Sequence, residues 1–143
     1  MLRVLILNGP NLDVLGTREP QFYGDRSFED YLVELRAAYP HVAFTYVQSN
    51  AEGVLVERLR AASADHDAVV LNAAGYSHTS VALRDSIMVV QLPVVEVHIS
   101  NIHDREDFRH RTLTGAVCEG VVTGFGLDGY RLAVDHLLRR VRA

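Results

Sequence analysis

The 143 residues have the length of one ordinary domain, able to bury a core without disulfides or metals, and no apolar run approaches a membrane span. A net charge of -4 provides no dense cationic face, which argues against nucleic acid as a partner, and the lone Cys118 excludes an internal disulfide. Every one of the 14 Lys+Arg residues is an arginine, so Schiff-base chemistry, a pyridoxal-phosphate anchor and a phosphate-loop lysine are excluded.

Leu2 to Leu7 is an apolar run that reads as a first strand buried on both faces, as in a parallel sheet. It starts almost at once, without a secretory leader, so the expected compartment is the cytoplasm. Asn8 to Gly24 then runs without helical or strand period. A loop of that length is expected to be functional, and this one carries Asn11, Arg18 and Tyr23 among glycines and prolines.

Ser27, with Asp30 three residues on, opens a helix through Phe28, Tyr31, Leu32 and Leu35 that Pro40 ends. Val42 to Gln48 is strand two. Asn50 is placed to cap a second helix whose apolar face is Val54, Leu55, Leu59 and Ala62. Ala68 to Leu71 is strand three, Asn72 to His78 a break, and Thr79 to Met88 helical. Pro93 to His98 is strand four, followed by the Ser100-Asn101 turn and a charged segment from Asp104 to Arg111. Val117 to Thr123 is expected as strand five and Leu127 to Val141 as the closing helix, with Tyr130, Ala133, Val134, Leu137 and Leu138 on one face. Five strands alternating with helices imply an α/β fold of three layers around a five-stranded parallel sheet.

Ligands of such sheets bind beyond the carboxyl ends of the strands, which here means the 8-24 loop, the Asn72-His78 turn and the Glu96-Asn101 corner. Glu96 and His98, at i and i+2 on one strand, share a face. A carboxylate there can orient an imidazole and stabilise its protonated form, making a general acid. The same pair also fits two metal ligands, joined by His78 or His103, or a structural hydrogen-bonded pair. A guanidinium such as Arg18 beside Tyr23 favours the phenolate, which lets a group that ordinarily titrates near about 10 act as a base.

His78 reads as the start of a helix, where free backbone N–H groups favour anions, or as a simple cap. Arg105, Arg109 and Arg111 can clamp a carboxylate or diol, or form a charged helix face. Gly124 to Gly129 matches a dinucleotide fingerprint, but it follows the last strand and no acidic residue lies about 20 positions on; close packing of the final helix explains it better.

Residues 8-13 (NGPNLD), 15-21 (LGTREPQ), Tyr23-Gly24, 48-53 (QSNAEG), 72-85 (NAAGYSHTSVALRD) and 96-110 (EVHISNIHDREDFRH) together resemble the type II 3-dehydroquinate dehydratases across nearly the whole chain. The resemblance implies a flavodoxin-like fold, a homo-oligomer in the form of a dodecamer built as a tetramer of trimers, and no cofactor or metal. The small-molecule substrate it implies is 3-dehydroquinate. Anti elimination of water through an enolate would yield 3-dehydroshikimate, in the shikimate pathway toward chorismate and the aromatic amino acids, or in quinate breakdown.

It further implies that Tyr23 takes a proton from C2, assisted by Arg18, and that His98, tuned by Glu96, protonates the departing C1 hydroxyl. Asn11 would hold a water against the enolate oxygen. Asn72, His78, Ile99, Ser100 and Arg109 would bind the substrate, Asp85 would reach a neighbouring subunit's site, and Arg105 would support. The first helix and its link to strand two are shorter than usual in that family, and Thr114 to Ala116 lacks a proline often found there. The competing reading is a flavodoxin-like ligand-binding module without catalysis.

Overall fold

The computed structural model of the chain describes residues 1-16 and 25-142. Five strands, β1 (Leu2–Asn8), β2 (Val42–Gln48), β3 (Ala68–Asn72), β4 (Val94–His98) and β5 (Gly120–Thr123), form a parallel sheet in the order β2-β1-β3-β4-β5. That order is flavodoxin-like and reverses direction between β1 and β3. Among the described residues four helices cover it: α1 (Phe28–Ala38), α2 (Glu52–Ala61), α3 (Val81–Val89) and α4 (Asp128–Arg142).

Strand alternation divides the core. Val4 and Ile6 of β1 point into a cluster with Phe28, Tyr31, Tyr130 and Leu137 of α1 and α4. Leu5 and Leu7 point the other way, against Leu55, Leu59, Leu83 and Ile87 of α2 and α3. Each fully buried side chain of this size contributes about 1.5–3 kcal/mol, so both layers, not one, hold the sheet in register.

Ser27 caps α1 as its sequence indicates, its hydroxyl accepting from the Asp30 N–H at 3.1 Å. The cap of α2 differs from expectation. Its N-cap is Ala51, without a side-chain bond, while the Asn50 Oδ1 accepts from the Asn11 N–H at 3.0 Å and from Gln48 Nε2 at 3.1 Å. Asn50 therefore ties the first loop to β2 instead of starting a helix. Val54 also turns outward, because the stripe on α2 runs through Leu55, Leu59 and then Ala62.

His78 does not begin a helix: it ends a 3-10 turn, Ala74–His78. The helix start belongs to Ser80, whose Oγ accepts from the Leu83 N–H at 2.9 Å, so α3 begins at Val81. Strand five is shorter than its β-branched residues suggest, since Val117 lies in a 3-10 turn, Gly115–Val117. The charged segment is not a helix face either, but contains the 3-10 turns Ile102–Asp104 and Asp107–Arg109.

The glycine pattern after β5 serves packing, as expected. Gly124 has φ +96°, and a Cβ there would stand 3.0 Å from Asn101 Cβ; a Cβ on Gly129 would stand 3.1 Å from Val97 Cγ1. A tighter approach occurs where the sheet order reverses. The Gly9 N–H donates to the Asn72 carbonyl at 2.7 Å, and a Cβ on Gly9 would fall 2.6 Å from the Ala73 carbonyl oxygen. The first part of the 8-24 loop has structure of its own: Leu12–Val14 forms a 3-10 turn, and Leu12 and Leu15 are buried in the α1/α4 layer. Arg18 and Tyr23 lie outside the described residues.

Candidate active site

On β4, Val95 and Val97 enter the α1/α4 core, which leaves Glu96 and His98 on the opposite face at the carboxyl end of the strand. Glu96 is 0% exposed and His98 5%. Their side chains meet at 2.8 Å between His98 Nε2 and Glu96 Oε2. A carboxylate only accepts, so Nε2 carries the hydrogen and Nδ1 is the ring nitrogen left for a ligand. The other carboxylate oxygen, Oε1, accepts from the hydroxyl of Thr114, itself fully buried.

The His78 ring stacks on that of His98, centroids 5.9 Å apart and planes inclined by 29°. His78 Nδ1 lies 2.8 Å from the Arg111 carbonyl oxygen. It must donate there, which makes its Nε2 an acceptor in the neutral ring. Burial holds the His78 imidazole below its usual range, helped by His98 and Arg109 and opposed by the Arg111 carbonyl and Glu96. The ring stacked on His98 is thus held toward its neutral form.

The pocket between the ends of β3 and β4 is walled by Leu12, Asn72, His78, His98, Ser100 and Arg109, with Ile99 and Arg105 beside them. Asn72 is fixed from below. Its Nδ2 donates to the Tyr130 hydroxyl at 3.0 Å, that hydroxyl donates to Asn8 Oδ1 at 2.8 Å, and Asn72 Oδ1 accepts from the Ala74 N–H at 3.1 Å. This last bond supports Ala74 at φ 54°, a left-handed backbone that a residue with a Cβ adopts at some cost.

The Ile99 and Ser100 amides take no part in the hydrogen bonds of the described residues. Ser100 Oγ accepts from Arg105 Nη1 at 3.0 Å, and Arg109 Nε donates to Glu106 Oε1 at 3.0 Å. Two main-chain donors and two guanidinium groups therefore converge on one rim, an arrangement suited to an anion. A larger groove opens at the far end of the sheet, between Met1, Leu2, His41, Asp67, Leu138 and Val141. Asp67 is already tied to Arg3 there, at 3.0 Å, so that groove offers no acid-base pair.

Of the residues singled out in the sequence, Glu96, His98, Asn72, His78, Ile99, Ser100, Arg105 and Arg109 come together here. Arg111 does not join the expected clamp: its side chain is exposed, and its carbonyl is what reaches the site. Asn11 stands exposed outside the pocket wall, its backbone left-handed at φ 69°. Asp85 lies on the exposed face of α3, away from this pocket. The alternative metal grouping around Glu96 is not assembled, since both carboxylate oxygens are occupied by His98 and Thr114. Among the described residues no three His, Cys, Asp or Glu side chains are grouped to hold a metal ion. Tyr130, Asn8 and Thr114 were not anticipated as parts of the site. Only Tyr130 carried a signal, an aromatic hydroxyl on an otherwise apolar helix face that would need a buried partner.

A flavodoxin-like sheet with a buried carboxylate-imidazole pair and an anion-receptive rim at its carboxyl edge is an α/β architecture suited to acid-base chemistry on a small anionic substrate. The chain belongs to the class II dehydroquinases, whose family model matches residues 2–138. A relative from Exiguobacterium sp., named 3-dehydroquinate dehydratase, is 51% identical over 142 residues, covering 99% of this chain and 97% of its own. The crystal structure of the type II dehydroquinase from Butyrivibrio crossotus superposes with a TM-score of 0.89 at 39% identity, covering 96% of this chain and 97% of that one. That of the type II dehydroquinase from Propionibacterium acnes gives 0.90 at 36% identity, covering 100% and 98%.

Proposed function

We propose that this pocket dehydrates 3-dehydroquinate to 3-dehydroshikimate by anti elimination through an enolate, and that the buried Glu96–His98 pair is the observation that carries the assignment. As a class II dehydroquinase the chain is a hydro-lyase. Tyr23, assisted by the Arg18 guanidinium, removes a proton from C2. The electron pair moves onto the C3 carbonyl oxygen, against which Asn11 holds a water. Collapse of the enolate expels the C1 hydroxyl as water, which takes its proton from His98 Nδ1 while the His98 Nε2–H stays donated to Glu96.

Neutral His78 adds no charge beside His98 and offers Nε2 as an acceptor for a substrate hydroxyl. The Ile99 and Ser100 amides receive the substrate carboxylate, Asn72 and Arg109 bind its polar groups, and Arg105 supports through Ser100. Oligomerisation as a tetramer of trimers would bring Asp85 to a neighbouring subunit's site. In support, Val81, Met88 and Val89 are exposed on the same helix. The setting is the cytoplasm, in aromatic biosynthesis or quinate breakdown.

The conjugated enone produced absorbs in the ultraviolet and gives a direct assay. Turnover should be unaffected by chelator and fall by about 10²–10⁴ in Tyr23→Phe and His98→Ala, the usual contribution of a proton-transfer group. Near-normal turnover in either variant removes the corresponding role. Arg18→Ala should also raise the pH at which activity appears, because the phenolate loses its neighbouring cation.

A further inference from the structure

We infer that Thr114 is a positioning residue for the dehydration: by holding Glu96 in one orientation, it determines which nitrogen of His98 carries the hydrogen and which is left for the substrate. This rests on the proton-donor role proposed above for His98.

Glu96 is buried completely, and its carboxylate has two partners, His98 Nε2 on Oε2 and the Thr114 hydroxyl on Oε1. A carboxylate in a dry site needs its lone pairs satisfied, and the two oxygens are equivalent until something distinguishes them. Thr114 supplies that distinction. Its own position is fixed by main chain: the Leu113 N–H donates to the Ser77 carbonyl at 2.7 Å, and the Thr114 N–H reaches the same oxygen at 3.4 Å. Ser77 immediately precedes His78 in the 3-10 turn, and Arg111 sets the His78 tautomer, so one stretch of chain orients both histidines.

The next residue completes the cradle. A Cβ on Gly115 would stand 2.8 Å from Glu96 Oε2 and 2.1 Å from Thr112 Oγ1, and the Gly115 N–H donates to that same Oγ1 at 2.9 Å. The turn thus lies close against the carboxylate, where a side chain at position 115 would not fit. Without the Thr114 hydroxyl, Oε1 would be an unpaired buried oxygen. Glu96 would then be free to rotate, and His98 would lose the fixed acceptor that keeps its hydrogen on Nε2.

The test compares Thr114→Val, which keeps the shape, with Thr114→Ser, which keeps the hydroxyl. Loss of one hydrogen bond to a charged buried group should lower kcat in Thr114→Val by about ten- to a hundredfold, with KM moved by less than about threefold, and Thr114→Ser should restore most of it. Nitrogen-15 spectra of the His98 ring, recorded without substrate, should show a changed tautomer in the valine variant and the wild-type pattern in the serine variant. Thr114→Ala serves the same comparison should the valine variant not fold. Unchanged ring spectra, or equal losses in the valine and serine variants, would overturn the positioning role. Failure of the donor assignment itself reads separately, as normal turnover in His98→Ala alongside an altered ring spectrum in Thr114→Val.

Discussion

Removing the Tyr130 hydroxyl should be among the most damaging single-atom changes available in this protein. The hydroxyl donates to Asn8 Oδ1 at 2.8 Å and accepts from Asn72 Nδ2 at 3.0 Å, and all three side chains are buried. Burial raises the phenol well above its ordinary value, so it remains a donor at any working pH. In Tyr130→Phe the ring keeps its packing against Phe28 and Tyr31, but two buried amide groups lose their partner. Each orphaned group costs about 1–3 kcal/mol, and the hydroxyl's own desolvation is recovered, so the net loss is about 2–4 kcal/mol. For a domain of this size that corresponds to a fall in Tm of roughly 6–14 °C.

The control is Tyr31→Phe in the same aromatic cluster, because among the described residues the buried Tyr31 hydroxyl makes no hydrogen bond to Asn8 or Asn72. It should change stability by less than about 0.5 kcal/mol or improve it. Urea unfolding of both variants decides the matter. Equal effects from the two substitutions would refute the reasoning, since only the network distinguishes them. Turnover provides the second reading: Asn72 loosened from below should weaken substrate binding in Tyr130→Phe and not in Tyr31→Phe.

Gly9→Ala should cost about 3 kcal/mol, because its Cβ would press on the Ala73 carbonyl, whereas Gly53→Ala in α2 meets nothing within 4 Å and should stabilise by about 0.5–1 kcal/mol; thermal melts with the opposite ranking would contradict this. Burial pushes the Cys118 thiol up to about 12. Iodoacetamide at pH 8 should therefore label the native protein at least about a hundredfold more slowly than free cysteine, and equal rates would show that the thiol is not shielded. His78 titrates below its usual range, so the unfolded chain binds its proton first as pH falls. The neutral ring's contribution to stability is present above about pH 6.5 and lost below it; His78→Gln should flatten that part of the urea midpoint against pH, and an unaltered slope would count against a neutral His78 in the folded protein.

The elements that sequence predicts well are those set by local composition. Val42–Gln48 is rich in β-branched and aromatic residues and emerges as β2 with the same limits, and the doubly buried β1 needs apolar residues at every inward position. Errors occur where two neighbouring residues compete for one role. Ser77 and Ser80 both suit a helix start, and tertiary structure chose Ser80, burying Ser77 and turning its carbonyl toward Leu113. Asn50 lost its expected cap to a bond with the loop at Asn11. At the site, Glu96 and His98 were legible because they share a strand face at spacing two. The Thr114–Glu96 bond spans 18 residues and the Tyr130–Asn8 bond 122, and no local pattern encodes such a meeting. The role of Arg111 was invisible for another reason: its carbonyl acts, and a carbonyl is common to all residue types.

The Tyr130 bridge also has a consequence for the order of assembly during synthesis. Asn8 and Asn72 emerge early, on strands that form the centre of the sheet, yet the hydroxyl that joins them belongs to α4 and follows every strand. Nascent chains that end before α4 would carry both asparagines with water in place of the tyrosine hydroxyl, in a crevice still open to solvent. The pocket floor is therefore completed from the far end of the chain, and binding competence should arrive abruptly with the docking of the last helix rather than accumulate strand by strand.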